Sequence, residues 1–258
     1  LILVALAFVG ARSRSQRTHR RKWWKVPLLL LILSAVPAIF GTARLVGLAS
    51  GASAAPEDAR FVAAPAPVIA HIVGALLFSM VGAFQFSNEV RRRFPRWHRV
   101  AGRVVLVAGL VVGLTGMWMT LFYPFPPALQ GPLLLIVRLV VGAAMVASLV
   151  LAFTTIRRGE VAAHRAWMLR AYALGLGAGT QAVLMLPWTL AFGIPTYLPY
   201  ELLMTLAWLI NLAVAERIIR RERTGSPRPG AAHSEQQGFT QQFAPPAGLP
   251  TNASAGST

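Results

Sequence analysis

The chain has 258 residues, of which 55% are hydrophobic and only 13% charged, and its mean hydropathy is +0.57. Soluble domains carry about 25% charged residues, so this composition excludes the soluble globular class. The chain contains no cysteine, which excludes disulfide scaffolds, thiolate-held zinc or iron–sulfur centres and cysteine nucleophiles.

The first 25 residues form a basic segment. Residues 1–10 are apolar but too short to span a bilayer, and the basic run follows them, the reverse of a secretory leader. A hydrocarbon core of about 30 Å needs roughly 20 apolar residues per helix. Six stretches meet that length, at about 26–48, 67–88, 100–123, 133–155, 167–190 and 198–219. Residues 224–258 are rich in Ser, Gly, Pro, Ala and Gln with few large aliphatics, the composition of a disordered tail. The expected fold is therefore all-α, a polytopic transmembrane bundle of six helices over residues 26–219.

Charge sets its orientation. The net charge is +17 and the isoelectric point about 11.9, values that also suit a nucleic-acid binder. With the N-terminus inside, however, 22 of the 25 Lys and Arg residues fall in four cytoplasmic segments, as the positive-inside rule requires. Only Arg44, Arg60 and Arg138 are left for the other side. Basic residues that border four separate helix ends do not make the contiguous face a phosphate backbone needs, so nucleic acid is not an expected partner. The expected partners are the lipid bilayer and, at the cytoplasmic face, anionic lipid head groups. Both termini are expected in the cytoplasm.

Residues three and four apart share a helix face. In the second span His71, Gly74, Phe78, Gly82 and Gln85 form one stripe, and in the third His98, Gly102, Gly109, Gly113, Gly116 and Thr120 do. The fourth gives Arg138, Gly142, Met145 and Ala152, and the fifth His164, Met168, Ala171, Gly175, Gly179 and Ala182. Small residues on one face let membrane helices approach closely, so helices two to five are expected to form a four-helix core. Asn211, midway along the sixth span, is expected to hydrogen-bond to a neighbouring helix. Intervals of 27 residues from His71 to His98 and 26 from Arg138 to His164 suggest a faint internal repeat.

Polar residues inside a membrane are expensive and face the bundle interior or a cavity. His71, Arg138 and Glu201 all fall about one turn inside the outer boundary. They form a candidate outer cluster, with Arg138 and Glu201 as the expected ion pair. Such a cluster can bind a small solute or carry protons, since His titrates near neutrality. A second candidate cluster lies at the inner face: His98, Arg99, Arg103, His164, Arg165 and Arg170, with Glu160 and Glu216 nearby. His98 and His164 open successive outward-running helices at similar depth, and two imidazoles so placed suggest axial ligands for haem b. Arg103 and Arg170 lie deeper than either histidine, which favours helix-end hydrogen bonding and lipid-phosphate contact for the pair. No other metal site is expected.

Two segments carry a family resemblance. Trp97-His98-Arg99-Val100-Ala101-Gly102-Arg103 and His164-Arg165-Ala166-Trp167-Met168-Leu169-Arg170-Ala171-Tyr172-Ala173 resemble the paired motifs of bacterial predicted membrane proteins of domain-of-unknown-function family 2306. His71-Ile72-Val73-Gly74 and Gly82-Ala83-Phe84-Gln85-Phe86 are similar to that family's preceding helix. The resemblance covers about residues 67–217, implies a bacterial inner-membrane protein and implies no particular activity. The chain has no Gly-rich phosphate loop, HExxH motif or GxSxG elbow, so no catalytic residues are expected. Three readings remain open: solute or proton handling at the outer cluster, haem electron transfer at His98 and His164, and a structural or lipid-interacting role.

Overall fold

The structure, a computed structural model, describes residues 24–51 and 58–224. Almost all of the basic N-terminal segment and of the predicted disordered tail lies outside the described residues, as do His19, Glu57 and His233. Every regular element among the described residues is helical. In chain order they are α1 (Lys25–Ser50), α2 (Ala59–Ala63), α3 (Pro65–Gln85), α4 (Asn88–Arg93), α5 (Pro95–Phe122), α6 (Pro132–Arg157), α7 (Val161–Gly175), α8 (Gly177–Phe192) and α9 (Tyr197–Thr224).

Local chemistry sets the boundaries. Pro65, Pro95 and Pro132 open α3, α5 and α6, where a missing N–H is harmless and the fixed φ suits the first turn. The side chain of Ser87 caps α4 by accepting from Val90 N at 3.4 Å. Glu89 in its first turn and Arg91, Arg92 and Arg93 in its last complement the helix dipole. The tight turn from α6 into α7 runs through Gly159 at φ +77°, a left-handed conformation that a Cβ disfavours.

Five of these helices are long and apolar enough to cross a membrane, and the bent pair α7–α8 makes six if counted as one span. The expected all-α transmembrane bundle is thus the observed fold class. The fifth span differs from its expectation. In place of one helix over 167–190, α7 and α8 meet at Leu176 with a bend of 42°. The reason lies in Gly175-Leu176-Gly177-Ala178-Gly179: a Cβ on Gly175 would strike the Phe78 ring, one on Gly177 the Trp208 indole, and one on Gly179 the Leu33 carbonyl. Three neighbouring helices crowd this one segment.

At the bend, α9 supplies side-chain donors to two carbonyls in the last turn of α7. Trp208 Nε1 donates to Leu174 O at 3.2 Å, and Asn211 Nδ2 donates to Ala173 O at 3.0 Å. Asn211 Oδ1 in turn accepts from Thr180 Oγ1 at 2.7 Å. The expected interhelical bond of Asn211 is present, and it serves the break.

The densest packing joins α3 to α5, α6 to α7 and α5 to α6. Their shared core contains Phe78, Val105, Met145, Leu149, Ala171 and Tyr172. The small-residue stripes make the approach possible. Gly109 and Gly175 leave room for Phe78, Gly82 for the Tyr172 ring, Gly113 for Val146 and Gly142 for Met117. Tyr172 keeps its hydroxyl satisfied by donating to Ser79 O at 2.7 Å.

Packing at the bend predicts a coupled pair. Gly177→Ala should destabilise the protein in detergent by about 1–3 kcal/mol through overpacking. Combined with Trp208→Leu, which empties the contested space, it should cost clearly less than the sum of the two single changes. Thermal melts of the four proteins measure this, and strictly additive losses would remove the contact from the account.

Candidate functional site

Conspicuous side chains gather at the two ends of the bundle. At the end holding the C-terminus of α5 and the N-terminus of α9, Arg138 of α6 donates from Nη1 to Gln130 Oε1 at 2.5 Å. Tyr200 lies within electrostatic reach of the same guanidinium. Its guanidinium carbon lies 4.9 Å from the centroid of the Phe125 ring. Gln130 is fixed by donating from Nε2 to Thr120 O at 3.3 Å.

Glu201, on α9, is 5% exposed. Its carboxylate packs against the Cα of Gly131, so closely that a Cβ there would overlap it. Arg138 feels the Glu201 charge through space, but the two make no direct ion pair. Gln130 takes the position at the guanidinium that the sequence assigned to the carboxylate. His71 sits apart from both. Thr115 Oγ1 donates to Val111 O at 2.5 Å, so its lone pair receives the proton of His71 Nδ1 at 3.1 Å. The predicted trio is therefore an Arg138–Glu201 neighbourhood plus a histidine committed to α5.

All three arginines expected on this side converge. Arg44 and Arg60 each lie 4.6 Å from the centroid of Phe61, and Arg60 lies 5.0 Å from that of Phe125, the ring that also faces Arg138. Arg44 forms an ion pair with Asp58. Phe61 meets Tyr123 edge-on at 5.3 Å, and the Tyr123 hydroxyl donates to Ala64 O at 2.6 Å. Guanidinium over an aromatic face is worth about 0.5–2 kcal/mol, more where water is excluded. Gln130, Tyr200, Phe61 and Phe125 escaped the sequence reading because three of them lie in connections or a five-residue helix, where no periodicity marks a face. The usable signal was scarcity: only three basic residues were left for that side.

At the other end, His164 Nδ1 lies 2.8 Å from Ala152 O. A carbonyl only accepts, so Nδ1 carries the proton, and in the neutral ring Nε2 keeps its lone pair. His98 is within electrostatic reach of His164 and of Arg91. Its Nδ1 is buried without a hydrogen bond, as is Nε2 of Gln85, whose amide oxygen faces Gly102 one turn along from His98. Arg170 is held bidentately by Glu216, at 2.5 and 3.1 Å, and stacks 4.5 Å from the Trp167 centroid. Arg99 and Arg103 are exposed. Arg165 is half-buried on α7. The inner group thus divides into a His98–His164–Gln85 corner, an Arg170–Glu216 pair and outward-facing arginines. No group of three or more metal-ligating side chains occurs among the described residues.

The Arg138–Gln130 contact generates a double-mutant prediction. Arg138→Met and Gln130→Leu should each lower the melting temperature in detergent, and together they should lose less than the sum, with a coupling of about 1 kcal/mol or more for a charge-assisted bond. Additive losses would break the assignment.

Comparison with curated proteins and with solved structures finds no match to the chain. A family model described as a predicted membrane protein, DUF2306, matches residues 68–219, which takes in His98, Arg138, His164 and Glu201 but not Arg44, Arg60 or Phe61. With its apolar helices long enough to span a bilayer and a family match over more than half its length, the chain belongs to the DUF2306 family of predicted membrane proteins.

Proposed function

We propose that this multi-pass membrane protein resides in a bacterial inner membrane with both termini in the cytoplasm, and that it handles protons at the Arg138–Glu201 end. The observation that carries the reading is Glu201: a buried carboxylate near the start of a membrane-length helix, with no side-chain hydrogen bond or ion pair to any described residue. A carboxylate at such a position is costly, and an apolar residue would pack there more cheaply. Arg138 stabilises the charge from a distance while Gln130 holds the guanidinium back. The carboxylate is left able to accept a proton without first breaking a contact pair. The orientation rests on the distribution of Lys and Arg, with 22 of 25 in the segments assigned to the cytoplasm.

A second reading, haem b between His98 and His164, is favoured by one detail. Ligating histidines usually donate their other N–H to a carbonyl or carboxylate, and His164 does so to Ala152.

Two measurements separate these. Proteoliposomes loaded with a pH-sensitive dye and driven by a potassium diffusion potential should acidify faster than empty vesicles. Glu201→Gln should abolish the difference while His164→Ala preserves it. Vesicles as tight as protein-free controls, or flux unchanged in Glu201→Gln, would end the proton reading. The haem reading instead requires a Soret band that shifts on dithionite reduction and disappears in His164→Ala. A haem-free spectrum from cells supplied with haem precursor overturns it.

A further inference from the structure

A groove of about 510 Å³ opens on the flank of the bundle between α3 and α5. Its α3 wall is Ala70, Val73, Gly74 and Leu77, and its α5 wall is Val104, Val107, Ala108 and Val111, with Arg103 at one end. The floor is low because Gly74 has no side chain: a Cβ there would already lie 3.2 Å from Ala108 O and 3.1 Å from a Val112 methyl. From Arg103 to Val111 the groove follows α5 for about 12 Å, eight residues at 1.5 Å each.

Arg103 is exposed and makes no hydrogen bond or ion pair with any described residue. One turn back, at helical spacings of four and seven, Arg99 and Arg96 continue the same face and are likewise exposed and unpaired. The face therefore passes from three free guanidinium groups into an apolar channel. A comparable groove between α1 and α8, about 400 Å³ in volume, is lined by Val36, Pro37, Phe40, Ala182, Met185 and Leu186 among others, none of them charged. Bilayer lipid can fill either groove by apolar contact, but only the α3–α5 groove joins an acyl-sized channel to anion-binding groups.

We propose that the α3–α5 groove is a binding site for one anionic phospholipid, with an acyl chain lying along Val104, Val107 and Val111 and the head-group phosphate held by Arg103 with Arg99. A guanidinium presents paired N–H donors that match phosphate oxygens. The apolar wall excludes water from one side of that contact and strengthens it. The site uses no residue of the Arg138–Glu201 neighbourhood and stands independently of the proton reading.

The test is native mass spectrometry of the full chain released from detergent, titrated with phosphatidylglycerol, phosphatidylethanolamine or inorganic phosphate. One phosphatidylglycerol adduct should persist at activation energies that strip phosphatidylethanolamine. Arg103→Gln should weaken it about tenfold. Val107→Trp, which fills the channel and leaves every arginine in place, should weaken it comparably. Both positions are exposed, so both variants should fold, and Glu201→Gln should leave the adduct intact. Retention in Arg103→Gln would overturn the proposal in favour of general attraction to the basic end. Loss in Arg103→Gln but not in Val107→Trp would reduce the site to a head-group contact without the groove. Inorganic phosphate binding as tightly as the lipid would make it a site for soluble anions.

Discussion

The bend at Leu176 is the constraint around which the rest of the bundle is arranged. A helix interrupted inside a bilayer strands carbonyls where water is absent, and each such group costs several kcal/mol unless a protein donor reaches it. Here the donors are Trp208 and Asn211, three residues apart and hence on one face of α9. For the indole to come close enough, residue 177 must lack a Cβ. The same glycine-rich segment admits Phe78 from α3 and the backbone of α1 at Leu33. Sequence, bend and helix arrangement are one fact seen at three scales: the glycines permit both the break and the close approach that repairs it.

The two ends of the bundle treat arginine in opposite ways. At the end bearing α4 and the α6–α7 turn, most of the described arginines are exposed. Arg170 instead is held by Glu216 and stacked on Trp167, and Arg165 is half-buried. At the far end Arg44, Arg60 and Arg138 turn inward onto two phenylalanine faces. A guanidinium is weakly hydrated and its plane stacks on a ring, so the inward arrangement avoids placing an isolated cation in hydrocarbon. It also links α1, α2, the α5–α6 connection and α6 at one end of the bundle.

The helices were legible because span length and the spacing of small residues are local properties. Gly109, Gly142 and Gly175 stand on predicted stripes, and each admits a neighbouring side chain in the structure. The break was not legible. Gly175 and Gly179 read as ordinary close-packing residues and Gly177 stood on no predicted stripe, and only the partners at Leu33, Phe78 and Trp208, far away in sequence, turn the three into a bend. The sites divide likewise. Depth alone brought Arg138 and Glu201 to the same level, and they do share a neighbourhood. Depth carries no information about rotation around the helix, so it grouped His71 with them although Thr115 holds its ring to α5. Gln130 lies in a connection, beyond any periodic signal, yet it is the residue that keeps Arg138 from collapsing onto Glu201.

That separation limits what the far end can do. Between Glu201 and the His98–His164 corner stands a layer in which Phe78 and Leu149 are fully buried and Gly109 and Gly175 are packed against the Phe78 ring. Among the described residues, no chain of side-chain hydrogen bonds from Glu201 crosses it. His71 does not bridge the gap either, because the one side chain it meets, Thr115, spends its own proton on a backbone carbonyl of α5. On the proposed reading, a proton taken up at Glu201 faces this layer. Passage to the other side requires the Phe78 layer to open. Phe78 rests against Gly175 beside the bend, and the bend is held by two side-chain bonds from α9, the helix that also carries Glu201.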